Sequence, residues 1–221
     1  MRWRLLGGAL VLALLGGAGG FAYATTLDHP VTAIDEVSPV PASDPSLPVP
    51  EVAPDPDDPA LATGLFYEPE RLEVLDERGR PRYVLRLPVP RGWERVYREP
   101  ASWNYTRRGN DPNSYGFTVD ILAGTGLTVE QARKSREAAL SSAAAQGALP
   151  DMEIRPQDED TFLARFIKDG YRRLSLERFY GGPDPDQAYA SVRVYGRDQD
   201  LTGMTDLLAL ISRDLRTGQS P

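Results

Sequence analysis

The 221-residue chain contains no cysteine and one histidine, and each scarcity removes chemistry. Without cysteine there is no disulfide, no thiolate nucleophile, no Cys-type zinc or iron–sulfur site, and no lipid attachment through an N-terminal cysteine. The single histidine, His29, has no serine or cysteine neighbour and lies in a proline-rich stretch. A Ser-His-Asp constellation and an HExxH zinc motif are therefore excluded from the folded part. Lysine is nearly missing as well, since only Lys134 and Lys168 stand among the 25 basic residues. A serine–lysine dyad has little to draw on: Lys134 and Ser135 are helix neighbours that point apart, and Lys168 precedes a turn.

Basic residues are also absent where acids concentrate. Residues 28–58 carry Asp28, Asp35, Glu36, Asp44, Glu51, Asp55, Asp57 and Asp58, with no Lys or Arg. The net charge of −7 belongs to that stretch, and from Leu61 onward the chain is close to neutral. A neutral domain has no field to gather nucleic acid and no basic excess to coat an acidic membrane.

What is present falls into three parts and a short tail. Residues 1–27 combine Arg2 and Arg4 with an uncharged run from Leu5 to Ala24. Twenty residues of helix span about 30 Å, the hydrocarbon thickness of a bilayer. The expectation is a single-pass membrane anchor with the N-terminus inside and the remainder outside. A cleaved signal peptide is the alternative, because Ala22-Tyr23-Ala24 fits a small-x-small processing site. Either way the domain is exported.

Residues 28–60 hold nine prolines and no periodic apolar pattern. Such a composition cannot bury enough surface to fold and reads as a disordered spacer, extended at about 3.1 Å per residue. Residues 61–217 form the domain, and 218–221 a tail. Strands are expected near 71–75, 82–89, 102–108 and 115–123. A helix follows from the Thr128 cap, with Gln131 completing a capping box and Gly147 stopping it. Its apolar face (Val129, Ala132, Leu140, Ala143) is interrupted by Arg136. A short strand at 153–155, two strands flanking the Asp169-Gly170 turn, and a strand at 188–196 come next. A helix at about 202–216, with Met204, Leu207, Leu208, Ile211 and Leu215 on one stripe, closes the domain. This order implies an α+β fold, a mainly antiparallel sheet covered by two helices.

Gly79, the strand Tyr83-Val84-Leu85-Arg86-Leu87, Pro90 and Trp93, with Leu207, Leu208 and Ile211 near the end, make the chain resemble the PsbP-like α/β/α sandwich family over residues 66–217. Many relatives carry an aromatic where Leu87 stands. The resemblance implies an accessory or partner-binding module without enzymatic activity, and it transfers no site residue. Trp93, behind the Pro90 and Gly92 bend, is expected to fold back over the core.

No catalytic, cofactor or metal residues are assigned and no cofactor is expected. Asp120 and Glu177 are the acids best placed for a glycosidase-like pair, although solvent-facing strand acids are ordinarily solvating. "PDPDQ" (183–187) and "RDQD" (197–200) lack calcium-loop spacing. Trp103 and Tyr105, sharing one face of a strand, with Arg107 and Arg108 just after, are the candidate partner contacts, because Trp, Tyr and Arg dominate interface hot spots. Tyr189, Arg193 and Tyr195 form a second such stripe. For both stripes the competing expectation is a strand face packed under a helix. The functional expectation is an exported, membrane-tethered, non-catalytic module for a protein or cell-envelope partner. A secreted hydrolase or small-ligand carrier with a hidden cleft is the alternative from another class, and a structural spacer domain is a third.

Overall fold

A computed structural model describes residues 51–219 except Pro100 and Pro185. The anchor segment 1–27, the first part of the spacer and the last two residues lie outside the described residues. None of the described helices is long and apolar enough to cross a membrane.

Among the described residues the architecture is α+β, with antiparallel sheets and two helices. Strands β1 (Tyr67–Leu75) and β2 (Pro81–Pro90) form the first hairpin. Its turn is closed by Asp76, whose carboxylate accepts from the backbone N–H groups of Arg78 and Arg80. Gly79 supplies the positive φ of 73° that the turn requires. Instead of joining the main sheet, this hairpin pairs with β10 (Arg216–Gln219) as a separate three-stranded sheet. The main sheet has seven strands in the order β3-β4-β5-β9-β8-β7-β6. Its members are β3 (Trp93–Glu99), β4 (Ser102–Arg107), β5 (Gly116–Ile121), β6 (Glu153–Pro156), β7 (Thr161–Lys168), β8 (Tyr171–Gly181) and β9 (Ala188–Gly196). Helices α1 (Val129–Ala145) and α2 (Leu201–Asp214) complete the fold.

Two strands depart from the sequence expectation. Trp93 opens β3, an edge strand that continues the chain after Gly92; its half-buried ring lies 5.8 Å from that of Tyr115 and 5.7 Å from that of Phe117. It packs on the core as expected, from the first position of a strand. At the other end the helix stops at Asp214, Leu215 turns extended with ψ 134°, and residues expected as helix end and tail pair with the free edge of β2. The single sheet covered by helices is accordingly corrected: one face of the main sheet lies under α2 together with a second sheet.

That face is apolar. Trp103 and Tyr105 of β4, Phe117, Val119 and Ile121 of β5, Ala190, Val192 and Val194 of β9, and Leu174 and Leu176 of β8 meet Leu72, Leu85, Leu87 and Val89 from the small sheet and Met204, Leu207, Leu208 and Ile211 from α2. Each fully buried side chain of this kind contributes about 1.5–3 kcal/mol before entropy is subtracted. The opposite face carries a smaller cluster under α1, made by Ala132, Leu140, Phe162, Ala164, Phe179 and Ala188.

The chain before the domain is fastened to it. Arg197, fully buried, grips the carboxylate of fully buried Asp200 through Nε and a terminal nitrogen at 2.8 and 3.1 Å. Its remaining donors reach the carbonyls of Pro56, Asp58 and Pro59 at 2.7–3.1 Å. The Asp58 carboxylate accepts from the Asp111 N–H at 2.8 Å and from the Ser114 hydroxyl, and these bonds hold its pKa below the usual carboxylate value. The Ala53 N–H donates to Gly170, and the Leu61 N–H to Asp200. Leu61 itself is buried beside Gly203, where an added methyl would stand 2.7 Å from the Leu61 carbonyl carbon. Residues 51–60, assigned to the spacer by composition, thus lie hydrogen-bonded along the end of the main sheet.

Candidate functional site

The strand β4 places the four candidate partner residues in two environments. Trp103 and Tyr105 face the apolar side at 5% and 1% exposure, with the Tyr105 ring stacked on Phe117 at 4.6 Å. Burial pushes the Tyr105 hydroxyl pKa well above its ordinary value. Arg107 and Arg108 lie beyond the covered region and are exposed; Arg107 donates to the Tyr115 hydroxyl at 3.3 Å, and Arg108 pairs with Glu94 at 2.9 Å. The four do not form one exposed surface. For Trp103 and Tyr105 the competing expectation describes what is seen, with the second sheet and α2 as the cover. Tyr189 of the second stripe is buried too, its hydroxyl bonded to Val84 and Gly218 of the small sheet.

The other face of the same strands is polar, and here the remainder of the second stripe comes together with residues the sequence did not single out. In register across β4, β5 and β9, Asn104 stands opposite Thr118, and Thr118 opposite Arg193; Gly116 stands opposite Tyr195, and Asp120 opposite Ser191. Asn104 is buried, and its side-chain oxygen accepts from Thr118 Oγ1 at 3.1 Å and from the Tyr195 hydroxyl at 3.0 Å. Tyr195 reaches Asn104 by lying over Gly116; a methyl at 116 would collide with its hydroxyl and stand 2.6 Å from the Tyr105 carbonyl oxygen. Glycine at 116 therefore serves close approach, and the hydroxyl end of the aromatic ring is held against the sheet. One strand further, buried Glu177 is bonded to Arg136 of α1 at 3.1 Å and to Ser191 at 3.4 Å. That contact explains the arginine that interrupts the apolar face of α1.

Arg193 and Asp120 sit half-buried on this floor, and neither makes a side-chain hydrogen bond or ion pair among the described residues. At the outer margin Val96, opposite Asn104, is 50% exposed. The face is consequently a preorganised polar platform carrying one aromatic ring and one unpaired charge of each sign. Nothing in the alternation of β9 alone could locate it, because Asn104 and Tyr195 are 91 residues apart.

Catalytic readings find less. Asp120 and Glu177 do share a face, but Glu177 is already engaged by Arg136 and the two are separated by the whole of β9. Asp158 and Asp160, in the β6–β7 turn, are a closer pair: burial and the Asp158 carboxylate raise the pKa of Asp160, which also accepts from Arg178 at 3.1 Å. Asp160 borders a concavity of about 350 Å³ lined also by Val129, Phe179, Tyr180, Ser212 and Leu215. The Tyr180 hydroxyl there bonds to Ser212 at 2.8 Å, and burial pushes its pKa up to about 12. A second depression, of about 180 Å³, lies against Leu163, Arg165 and Leu201. Ligand pockets run from roughly 300 to 1,000 Å³, so only the first reaches the lower limit. Among the described residues no cluster of three or more acids or histidines could hold a metal ion.

No protein-family model matches the chain, the PsbP-like family included, and no curated protein matches it in sequence. Among solved structures it is similar to LpqN of Mycobacterium tuberculosis, a protein involved in cell envelope biogenesis, with 13% identity over 67% of this chain and 91% of that one, at a TM-score of 0.38.

Proposed function

We propose that the chain is an exported, membrane-tethered binding module without catalytic activity, and that it presents the polar platform of β4, β5 and β9 to a protein partner in the cell envelope. The observation that carries this reading is the arrangement of Tyr195, Arg193 and Asp120. Tyr195 is fixed by Gly116 and Asn104 before any partner arrives, so little side-chain entropy is lost on contact. A cation and an anion side by side, both without ion-pair partners, suit a surface of mixed charge better than a polyanion. Export and tethering are supported by the charged start and uncharged run of residues 1–27.

A photo-crosslinking amino acid at Val96 tests the platform, and one at Leu75, equally exposed on the small sheet, serves as control. In intact cells the Val96 probe is expected to give a discrete adduct that the Leu75 probe does not. Arg193→Glu should lower its yield by about 10-fold, as expected of a residue central to an interface. Equal adducts from both positions, or a yield indifferent to Arg193→Glu, would refute the assignment. The small-ligand carrier reading draws on the concavity beside Tyr180. A small molecule that copurifies with the domain and is lost on Phe179→Trp would favour it instead.

A further inference from the structure

Residues 53–59 are held to the domain in an unusual manner, through their backbone. Three of their carbonyls are taken by one guanidinium, that of Arg197. Among the described residues, the one side chain of the strap that adds a polar bond is Asp58, on the Asp111 N–H and the Ser114 hydroxyl. Pro54, Asp55, Asp57 and Pro59 are exposed, and Ala53, Pro56 and Asp58 are half-buried. At Leu61 the character changes: its side chain enters the core and its N–H is bonded to Asp200.

We propose that residues 53–59 are a latch, hinged at Leu61, that docks and releases as a unit while the sheet stays folded. Release is possible because Arg197 does not depend on the strap for its counter-charge. When the three carbonyls leave, Nε and one terminal nitrogen remain on Asp200, so no buried charge is stranded. Docking is favoured because Pro54, Pro56 and Pro59 already hold the backbone extended and bring no N–H that needs a partner. The strap is therefore a low-stability unit attached to a high-stability one. Its consequence for reach rests on the tethered reading: opening lengthens the tether by the seven residues of the strap, roughly 20 Å at polyproline spacing. The docking equilibrium itself does not rest on that reading.

Hydrogen exchange on the full chain in detergent micelles reads the latch directly. In the wild type the Ala53 amide, bonded to Gly170, should exchange at least about 10-fold faster than the Leu61 amide and those of β9. Asp58→Ala should accelerate Ala53 by about a further 10-fold and leave Leu61 and β9 unchanged. Because the chain has no cysteine, Glu51→Cys with Lys168→Cys gives a clean pair of spin labels. They should report a short and a long distance, with Asp58→Ala moving population to the long one. One common exchange rate for Ala53, Leu61 and β9 would overturn the proposal by making the strap integral to the fold. A single distance, short or long, unaffected by Asp58→Ala would overturn it as well. If cell fractionation instead finds the domain free of the membrane, only the reach argument falls.

Discussion

The two faces of the seven-stranded sheet are made by the same strands and follow opposite rules. On one, aromatic and β-branched residues lie under a second sheet and α2, a helix with Met204, Leu207, Leu208 and Ile211 all buried. On the other, α1 buries only Ala132 and Leu140, and the floor beyond it is ordered by hydrogen bonds among Asn104, Thr118, Tyr195, Glu177 and Arg136. The difference separates two tasks. Cohesion is concentrated on the face whose buried side chains are mainly apolar, so the other face can keep polar and unpaired groups without endangering the fold.

Adjacent residues of β5 give the sharpest test of that division. Phe117→Ala removes a fully buried ring that touches Tyr105 and Trp93, and should cost about 3–5 kcal/mol in urea unfolding. Thr118→Ala, equally inaccessible but on the polar side, removes one hydrogen bond to Asn104 and should cost about 1 kcal/mol. Equal losses would mean that the polar face is as cohesive as the apolar one. Gly116→Ala comes between them. Its methyl displaces the Tyr195 ring and presses on the Tyr105 carbonyl, an overpacking expected to cost roughly 1–3 kcal/mol. If Gly116→Ala is neutral in stability and crosslinking, Tyr195 is not fixed as described.

Much of this fold was legible because its signals are local. The Asp169-Gly170 turn appears with both residues at positive φ, and the Thr128 capping box forms with both of its bonds. The apolar stripe from Met204 to Leu215 is buried as its spacing implied, although the helix itself stops at Asp214, just before the last member. What could not be read is whatever a distant partner decides. Strand β10 exists because β2 offers a free edge, and its own sequence, Arg216 to Gln219, has no strand pattern. The strap has no apolar periodicity at all; a guanidinium some 140 residues away takes up its carbonyls. For Trp103 and Tyr105, alternation showed that they share a face. It did not show which face would be covered, because the cover arrives from β1, β2 and α2. The platform was half visible, in the Arg193 and Tyr195 stripe, but Asn104 and Gly116 acquire meaning only through the register.

The smallest expected effect tests the comparison at the two helices. Helix α2 has no side-chain cap bond and is held by what it buries. Helix α1 is Ala-rich and buries little, so a larger share of its stability must come from its own termini. Its start is fixed by Thr128 Oγ1 accepting from the Gln131 N–H at 3.1 Å and by Gln131 Oε1 accepting from the Thr128 N–H at 3.0 Å. Thr128→Ala should therefore cost about 1 kcal/mol and speed amide exchange in the first turn of α1. The matching change in α2, Thr205→Ala, removes only an exposed bond to the Leu201 carbonyl and should stay within about 0.5 kcal/mol of wild type. If Thr128→Ala is also neutral, α1 is held by packing after all, and the hydrogen-bonded face is less dependent on local order than its composition implies.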